Sequence, residues 1–170
     1  MANNNKFYKI SYENFKNEIL KFIDNKNVNV AKEIYDNIIL PKRATKFSAG
    51  YDFFSPIDFV LKPGETIKIP TGIRVSMNDD LVLLIFPRSS LGFKYRLQLD
   101  NTIGVIDADY FNADNEGHIF VKLTNDSKDK ILEQPKNQAI CQGIFIKYYL
   151  TNDDEVDVER KGGLGSTNVQ

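Results

Sequence analysis

Apolar positions change their spacing once along the chain. Tyr12, Phe15, Ile19, Phe22 and Ile23 recur with helical period, which predicts one amphipathic helix over about 11–24. Ser11 stands where its N-cap should be. The charges on this helix are mixed rather than basic, which fits docking on a domain better than lying on a membrane. Residues 1–5 have no apolar pattern and are expected to be unstructured.

From about Val30 the pattern shortens to runs of Ile, Val, Phe and Tyr separated by turn signals. Lys62-Pro63-Gly64-Glu65 reads as a type II turn, with Pro and Gly at its centre. Ile67, Ile69, Ile73 and Val75 flank a break at Pro70-Thr71-Gly72. Residues 81–86 are continuously apolar, which suggests a strand buried on both faces. Residues 118–124 and 139–150 are further strand candidates. Many short strands with turns between them predict an all-β sandwich or barrel behind an N-terminal helical extension. The division expected is an extension at 1–29, a β domain at 30–159 and a glycine-rich arm at 160–170.

Composition narrows the chemistry. A chain of 170 residues suits one domain, and a net charge of −1 gives no global basic field for nucleic acid. No apolar stretch has the length of a membrane span, and there is no signal-peptide core. The single cysteine, Cys141, excludes an intrachain disulfide and fits a reducing, cytoplasmic setting. It sits in an apolar run and reads as a buried, inert thiol. The single histidine, His118, has no Cys or second His at ligand spacing, so it reads as structural.

The C-terminal arm is different. Arg160-Lys161-Gly162-Gly163-Leu164-Gly165-Ser166-Thr167 holds three of the ten glycines within four positions. Such a segment cannot build a core, but bare N–H groups, guanidinium and hydroxyls suit an oxyanion such as phosphate. Four other segments carry polar groups that a core does not need. Ala49-Gly50-Tyr51-Asp52 puts a carboxylate after a glycine turn. Pro87-Arg88-Ser89-Ser90-Leu91-Gly92 offers a guanidinium, two hydroxyls and backbone N–H groups. Residues 101–110 read as a hairpin, in which Asn101, Asp107 and Tyr110 could face one cavity. Gln138-Ala139-Ile140-Cys141-Gln142-Gly143 adds an amide.

In this order the five segments resemble the five motifs of the trimeric deoxyuridine triphosphate nucleotidohydrolases, the dUTPases, over about 30–168. The resemblance implies a jelly-roll-like β-barrel, a homotrimer, and hydrolysis of dUTP to dUMP and pyrophosphate. Asp107 matches the carboxylate that activates the attacking water. Arg88, Ser89, Ser90 and Gln142 match phosphate contacts. Asn101 and the backbone around Gly104 match the uracil-reading hairpin, and Tyr110 matches the ring beneath deoxyribose that excludes a 2′-hydroxyl. Arg160, Ser166 and Thr167 match the arm that closes over the phosphates of a neighbouring subunit. The resemblance also implies Mg²⁺ held mainly by the substrate phosphates. Asp52 matches a residue that touches either metal-bound water or the arginine network.

Three departures stand out. Phe111-Asn112-Ala113-Asp114-Asn115-Glu116-Gly117 reads as an insertion after Tyr110. Arg160 stands one residue closer to the glycines than is usual in the family. Leu164 replaces the aromatic that commonly stacks on uracil and should cover the base more weakly. Two alternatives remain at this level. One is a dCTP deaminase-like enzyme of the same fold, although the segment offers Asp107 and Asp109 where that chemistry needs a glutamate. The other is a phage regulatory module that binds a repressor protein, with the N-terminal helix and 111–117 as candidate partner surfaces.

Overall fold

The computed structural model describes residues 5–158, 160, 162 and 163. The N-terminal stretch builds more than one helix. Strand β1, Lys6–Lys9, comes first and buries Phe7. Helix α1, Tyr12–Ile19, follows, and Ser11 Oγ caps it by accepting from the Asn14 N–H. The helix is shorter than its periodicity predicts. Two 3₁₀ turns, Leu20–Phe22 and Asp24–Lys26, replace its last part, and Asn25 takes a left-handed φ of 56°. Phe22 stays exposed, and Ile23 reaches the small core from extended rather than helical backbone.

A second helix, α2 at Val28–Asp36, occupies residues expected to begin the β pattern. Val28, Val30 and Ile34 favour strands by themselves. Tertiary packing overrides that preference. Asn27 accepts from the N–H groups of Asn29 and Val30, and Ala31 is buried with Ile10, Phe15 and Ile19. At the other end, Lys9 Nζ donates to the carbonyls of Tyr35 and Asp36 at 2.8 and 2.9 Å, which answers the unpaired C-terminal acceptors of α2. Asn5, expected to be unstructured, accepts from the Asn78 N–H, while residues 1–4 lie outside the described residues.

The remainder is β-rich. In order come β2 (Lys42–Arg43), β3 (Tyr51–Phe54), β4 (Phe59–Leu61), β5 (Thr66–Pro70), β6 (Ile73–Ser76) and β7 (Leu81–Pro87). A short helix, α3 (Ser89–Tyr95), leads to β8 (Leu97–Leu99), β9 (Gly104–Ile106), β10 (Phe120–Asn125), β11 (Leu132–Gln134) and β12 (Ala139–Lys147). Among the described residues these strands form a five-stranded sheet β2-β3-β12-β7-β9, a three-stranded sheet β5-β10-β8, and the pairs β4-β11 and β1-β6. The turn at 62–65 has the expected form, with Gly64 at φ 82° and the Glu65 N–H donating to Lys62 O. Gly72 makes the break between β5 and β6 at φ 72°.

Strand β7 is not buried on both faces. Leu83 and Ile85 are buried, while Leu81, Val82, Leu84 and Phe86 are half-exposed. An apolar run cannot by itself say how many faces are covered; here only one is. The main core gathers Phe7, Phe53, Leu83, Ile85, Ile140 and Cys141 from both ends of the chain. Burial pushes the Cys141 thiol far up, with the Asp52 charge adding to it, so the thiol is inert. No helix among the described residues is long and apolar enough to cross a membrane.

His118 is buried and joins two layers. Its Nε2 accepts from the Gly72 N–H at 3.0 Å, and its ring lies on Phe120. Burial is the main cause that pushes its pKa down to about 3. The unfolded chain therefore takes up a proton near pH 6.5 that the fold refuses, and stability should fall as pH drops from 6.5 towards 3. The slope is limited to about 1.4 kcal/mol per pH unit for one such group. Urea unfolding between pH 7.5 and 5 should show this loss in the wild type and a flatter profile in His118→Gln. Equal slopes in both would assign the dependence to other groups.

Candidate functional site

The residues singled out from the sequence fall into two groups on the chain. The first forms where β3, β12 and β7 run side by side. Register places Asp52 opposite Gln142, and Gln142 opposite Phe86, so the ends of three strands meet at one level. Arg88 leaves β7 at that level, and its Nε lies 3.2 Å from Asp52 Oδ1. The Gln142 Nε2 donates to Pro87 O at 3.2 Å. Asp52 thus pairs with the Arg88 guanidinium in this structure. The segment 87–92 leads into α3. Arg88 occupies its N-cap position without a capping side chain, and the exposed Ser89 and Ser90 form its first turn. An adjoining cavity of about 410 Å³ is lined by Arg88, Ser89, Phe93 and Arg96 among others. Guanidinium, hydroxyls and first-turn N–H groups together can bind an oxyanion.

The second group follows β8. The segment 101–110 is not a hairpin. β8 pairs with β10 and β9 pairs with β7, so the turn between them carries the chain from one sheet to another. Turn residues alone cannot distinguish these outcomes, because both need a tight reversal; here Thr102 supplies it at φ 65°. A cavity of about 60 Å³ opens beside β9, lined by Asn101, Gly104 and Tyr110 with Ile85, Leu99 and Val121. A Cβ on Gly104 would stand 3.0 Å from the Ile85 Cβ, so the absence of a side chain keeps the backbone close to that wall.

Asp107 leaves the end of β9, and a 3₁₀ turn at Ala108–Asn112 places Tyr110 inward. Tyr110 is buried, and its hydroxyl donates to His118 O and accepts from Asn115 Nδ2, each at 2.8 Å. Burial raises its pKa against the opposing effects of Asn115 and Arg160. Arg160 returns over this turn. Its Nε donates to Asp109 Oδ1 at 2.8 Å, its Nη2 donates to Asp107 Oδ2, and the guanidinium lies 5.8 Å from the Tyr110 ring centre. In this arrangement Arg160 pairs with carboxylates of its own chain. Leu164, Ser166 and Thr167 lie outside the described residues.

Asp107 and Arg88 do not meet within one chain. β9 pairs with β7 through Leu83–Ile106 and Ile85–Gly104, which sets Asp107 beside Val82 while Arg88 lies beyond the opposite end of β7. At about 3.3 Å per residue this separates them by roughly 20 Å.

Sequence reasoning missed what the 111–117 segment does. It was a candidate partner surface, as was the N-terminal helix, and each is used on the other. Glu116 accepts from the Ser11 N–H at 2.7 Å, from Ser11 Oγ at 2.6 Å and from Asn14 Nδ2. Phe111 packs against Tyr8 and under the Arg74 guanidinium, which also donates to Phe111 O. Burial alone would raise the Glu116 carboxyl. The bonds from Ser11 and Asn14 and the field of Arg74 outweigh it and hold the group below its usual range. The contact joins residues 105 apart in sequence, so no local signal could reveal it.

Among the described residues no three His, Cys, Asp or Glu side chains converge to hold a metal.

The family model described as dUTPase matches residues 36–168. A deoxyuridine 5'-triphosphate nucleotidohydrolase of Lactococcus lactis is 41% identical over 133 residues, covering 76% of this chain and 88% of its own. The crystal structure of dUTPase from Streptococcus mutans superposes with a TM-score of 0.63 at 31% identity, over 86% of this chain and 98% of its own. A mutant dUTPase from phage phi11 of S. aureus, solved with details of a structural Mg(II) ion, has a TM-score of 0.59. It is 22% identical, with 72% of this chain and 92% of its own covered, and so shows likeness of fold alone.

The first group offers a direct test. A Cβ at position 50 would stand 2.5 Å from Gln142 Oε1, so Gly50→Ala must turn the Gln142 carboxamide away from Pro87. The displaced atom is the end of a flexible side chain, and the stability change should stay within about 1 kcal/mol. Affinity for inorganic pyrophosphate, measured by calorimetry, should fall several-fold. Unaltered binding would remove Gln142 from the anion site.

Proposed function

The chain belongs to the dUTPase family, and from that membership we propose how its residues divide the hydrolysis of dUTP to dUMP and pyrophosphate. The observation that carries the assignment is the cavity beside β9, with Asn101, Gly104 and Tyr110 in its lining and Asp107 at the strand's end. Asn101 and the β9 backbone read the uracil edge. Tyr110 lies under the deoxyribose, where its ring leaves no room for a 2′-hydroxyl. Asp107 accepts a proton from a water held in line with the α-phosphorus, opposite the pyrophosphate leaving group. Asp107 is half-exposed, which leaves an approach for that water.

Arg88, Ser89, Ser90 and Gln142 bind the phosphates, with Asp52 orienting Arg88. Arg160 has two competing partners, the Asp107–Asp109 pair and the triphosphate. When it moves to phosphate it releases Asp107 to act as base. Ser166 and Thr167 add hydroxyls to the phosphates, and Leu164 covers the base. Mg²⁺, when bound, would be held mainly by the substrate phosphates, with Asp52 contributing through water at most, and would offset their charge. One feature disfavours the deaminase reading. Glu116, the glutamate nearest this turn in sequence, is committed to Ser11 and Asn14 and cannot serve a deaminase.

We extend the proposal to the assembly and the finer fold. A site needing both Asp107 and Arg88 has to take them from different chains, because one chain holds those two far apart. This supports a homotrimer around jelly-roll-like barrels formed by 30–159, with the extension at 1–29 and the arm at 160–170. Tyr149, Leu150, Val156 and Val158 are exposed on each chain and supply apolar surface for a neighbour. The setting proposed is cytoplasmic.

With magnesium present, dUTP should be hydrolysed and dCTP, dTTP and UTP resisted, since a site built for uracil leaves other bases mispaired. Asp107→Asn should lower turnover by roughly a hundredfold to ten-thousandfold while nucleotide binding persists. A variant within a few-fold of wild type would move the base to another group.

Mixing Asp107→Asn chains with Arg88→Ala chains and reassembling them should recover part of the activity. If each site came from one chain, every site would carry a lesion and none would recover. Sedimentation of the active species as a monomer would also refute the trimer.

A further inference from the structure

We propose that Asn115 is a positioning residue for sugar discrimination, held in place by a clamp between Glu116 and the first turn of α1. The inference rests on the reading of Tyr110 as the ring beneath deoxyribose. It starts from what a buried tyrosine needs. The Tyr110 ring can exclude a 2′-hydroxyl only if it cannot yield, and its hydroxyl is the handle by which the protein holds it. That hydroxyl has one acceptor and one donor partner, His118 O and Asn115 Nδ2 respectively. His118 O is backbone on the neighbouring segment. Asn115 is a side chain, and its own placement therefore decides how firmly the ring is held.

Asn115 is fixed from several sides. Its Oδ1 accepts from the Gly117 N–H at 3.2 Å, and its carbonyl accepts from the His118 N–H. The backbone then turns through two successive left-handed residues, Glu116 at φ 60° and Gly117 at φ 67°. A Cβ at position 117 would stand 2.6 Å from Tyr110 O, so the turn presses directly on the tyrosine's backbone. A glutamate resists a positive φ, and something must hold it there. The bonds from Ser11 and Asn14 do so, and Ser11 is at the same time the N-cap of α1. The N-terminal extension is in turn anchored by β1 on β6 and by the Ile10 N–H on Gly72 O. Phe111, on the same loop, is clasped between Tyr8 and Arg74. The extension thus reaches the sugar-facing ring through Glu116 and Asn115, and the wall of the cavity beside β9 depends on residues outside it.

The experiment compares hydrolysis of dUTP and UTP in Asn115→Ala, Asn115→Ser, Tyr110→Phe, Tyr110→Ala and the Asn115→Ser/Tyr110→Phe pair. Serine keeps an oxygen that can accept from the Gly117 N–H but is too short to reach Tyr110, which separates the turn from the ring contact. Tyr110→Phe removes the same hydrogen bond from the other side and keeps the inference testable if the Asn115 variants melt early. In Asn115→Ser and Tyr110→Phe the UTP:dUTP ratio of kcat/KM should rise by about five- to tenfold, the size of one lost neutral hydrogen bond. The rise should come mainly through KM, and the pair should add little to either single change. A wild-type ratio in Asn115→Ser and Tyr110→Phe, with a raised ratio in Tyr110→Ala, would overturn the role of Asn115 and leave the reading of Tyr110 standing. A wild-type ratio in Tyr110→Ala would remove Tyr110 from sugar recognition, and the inference with it.

Discussion

Pairing on both edges of β7 is the constraint on which the rest depends. Its partner β12 carries Gln142 to the level of Phe86 and, through β3, brings Asp52 within reach of Arg88. Its other partner, β9, runs antiparallel to it and delivers Asp107 at the opposite end. Strand register is an all-or-none property, because a slip of one residue would turn Leu83 and Ile85 out of the core. Burial of those two side chains therefore sets the separation of the anion-binding group from Asp107. A single chain cannot shorten it without unpairing the sheet.

Charge is distributed accordingly. Each cluster is locally compensated: Arg88 by Asp52 in one, Arg160 by Asp107 and Asp109 in the other. Compensation of this kind keeps carboxylates and guanidinium groups in place while leaving them partly exposed. A polyanion offers the arginines a stronger partner than one carboxylate does, since several oxygens and more charge are present. The arrangement around Asp107 is therefore suited to being exchanged, whereas His118 and Cys141 are held in single protonation states by burial and serve structure.

The N-terminal segment also changes meaning once its contacts are seen. Phe7 enters the main core, Lys9 closes the end of α2, and Ser11 and Asn14 hold Glu116. Two segments, separated by most of the chain, thus satisfy each other's polar groups. A half-buried carboxylate such as Glu116 is tolerated because its oxygens accept hydrogen bonds from neutral donors and lie in the field of Arg74.

Much was legible from residues alone. Turn chemistry located Gly64 and Gly72, apolar spacing located the β-rich body, and the order of polar motifs identified the family before any coordinates. These are local properties: φ preference, periodicity and residue type act within a few positions. The structure decided what depends on distant partners. It ended α1 at Ile19, made α2 out of β-branched residues by packing Ala31 against Phe15, and covered only one face of β7. It turned the expected hairpin at 101–110 into a crossing between sheets, and it paired Asp52 with Arg88. It also joined Glu116 to Ser11. The sequence by itself determined which chemistry the chain carries, because side-chain identity is local. Only the tertiary structure decided which groups stand together, because strand register and buried hydrogen bonds are settled between segments far apart in the chain.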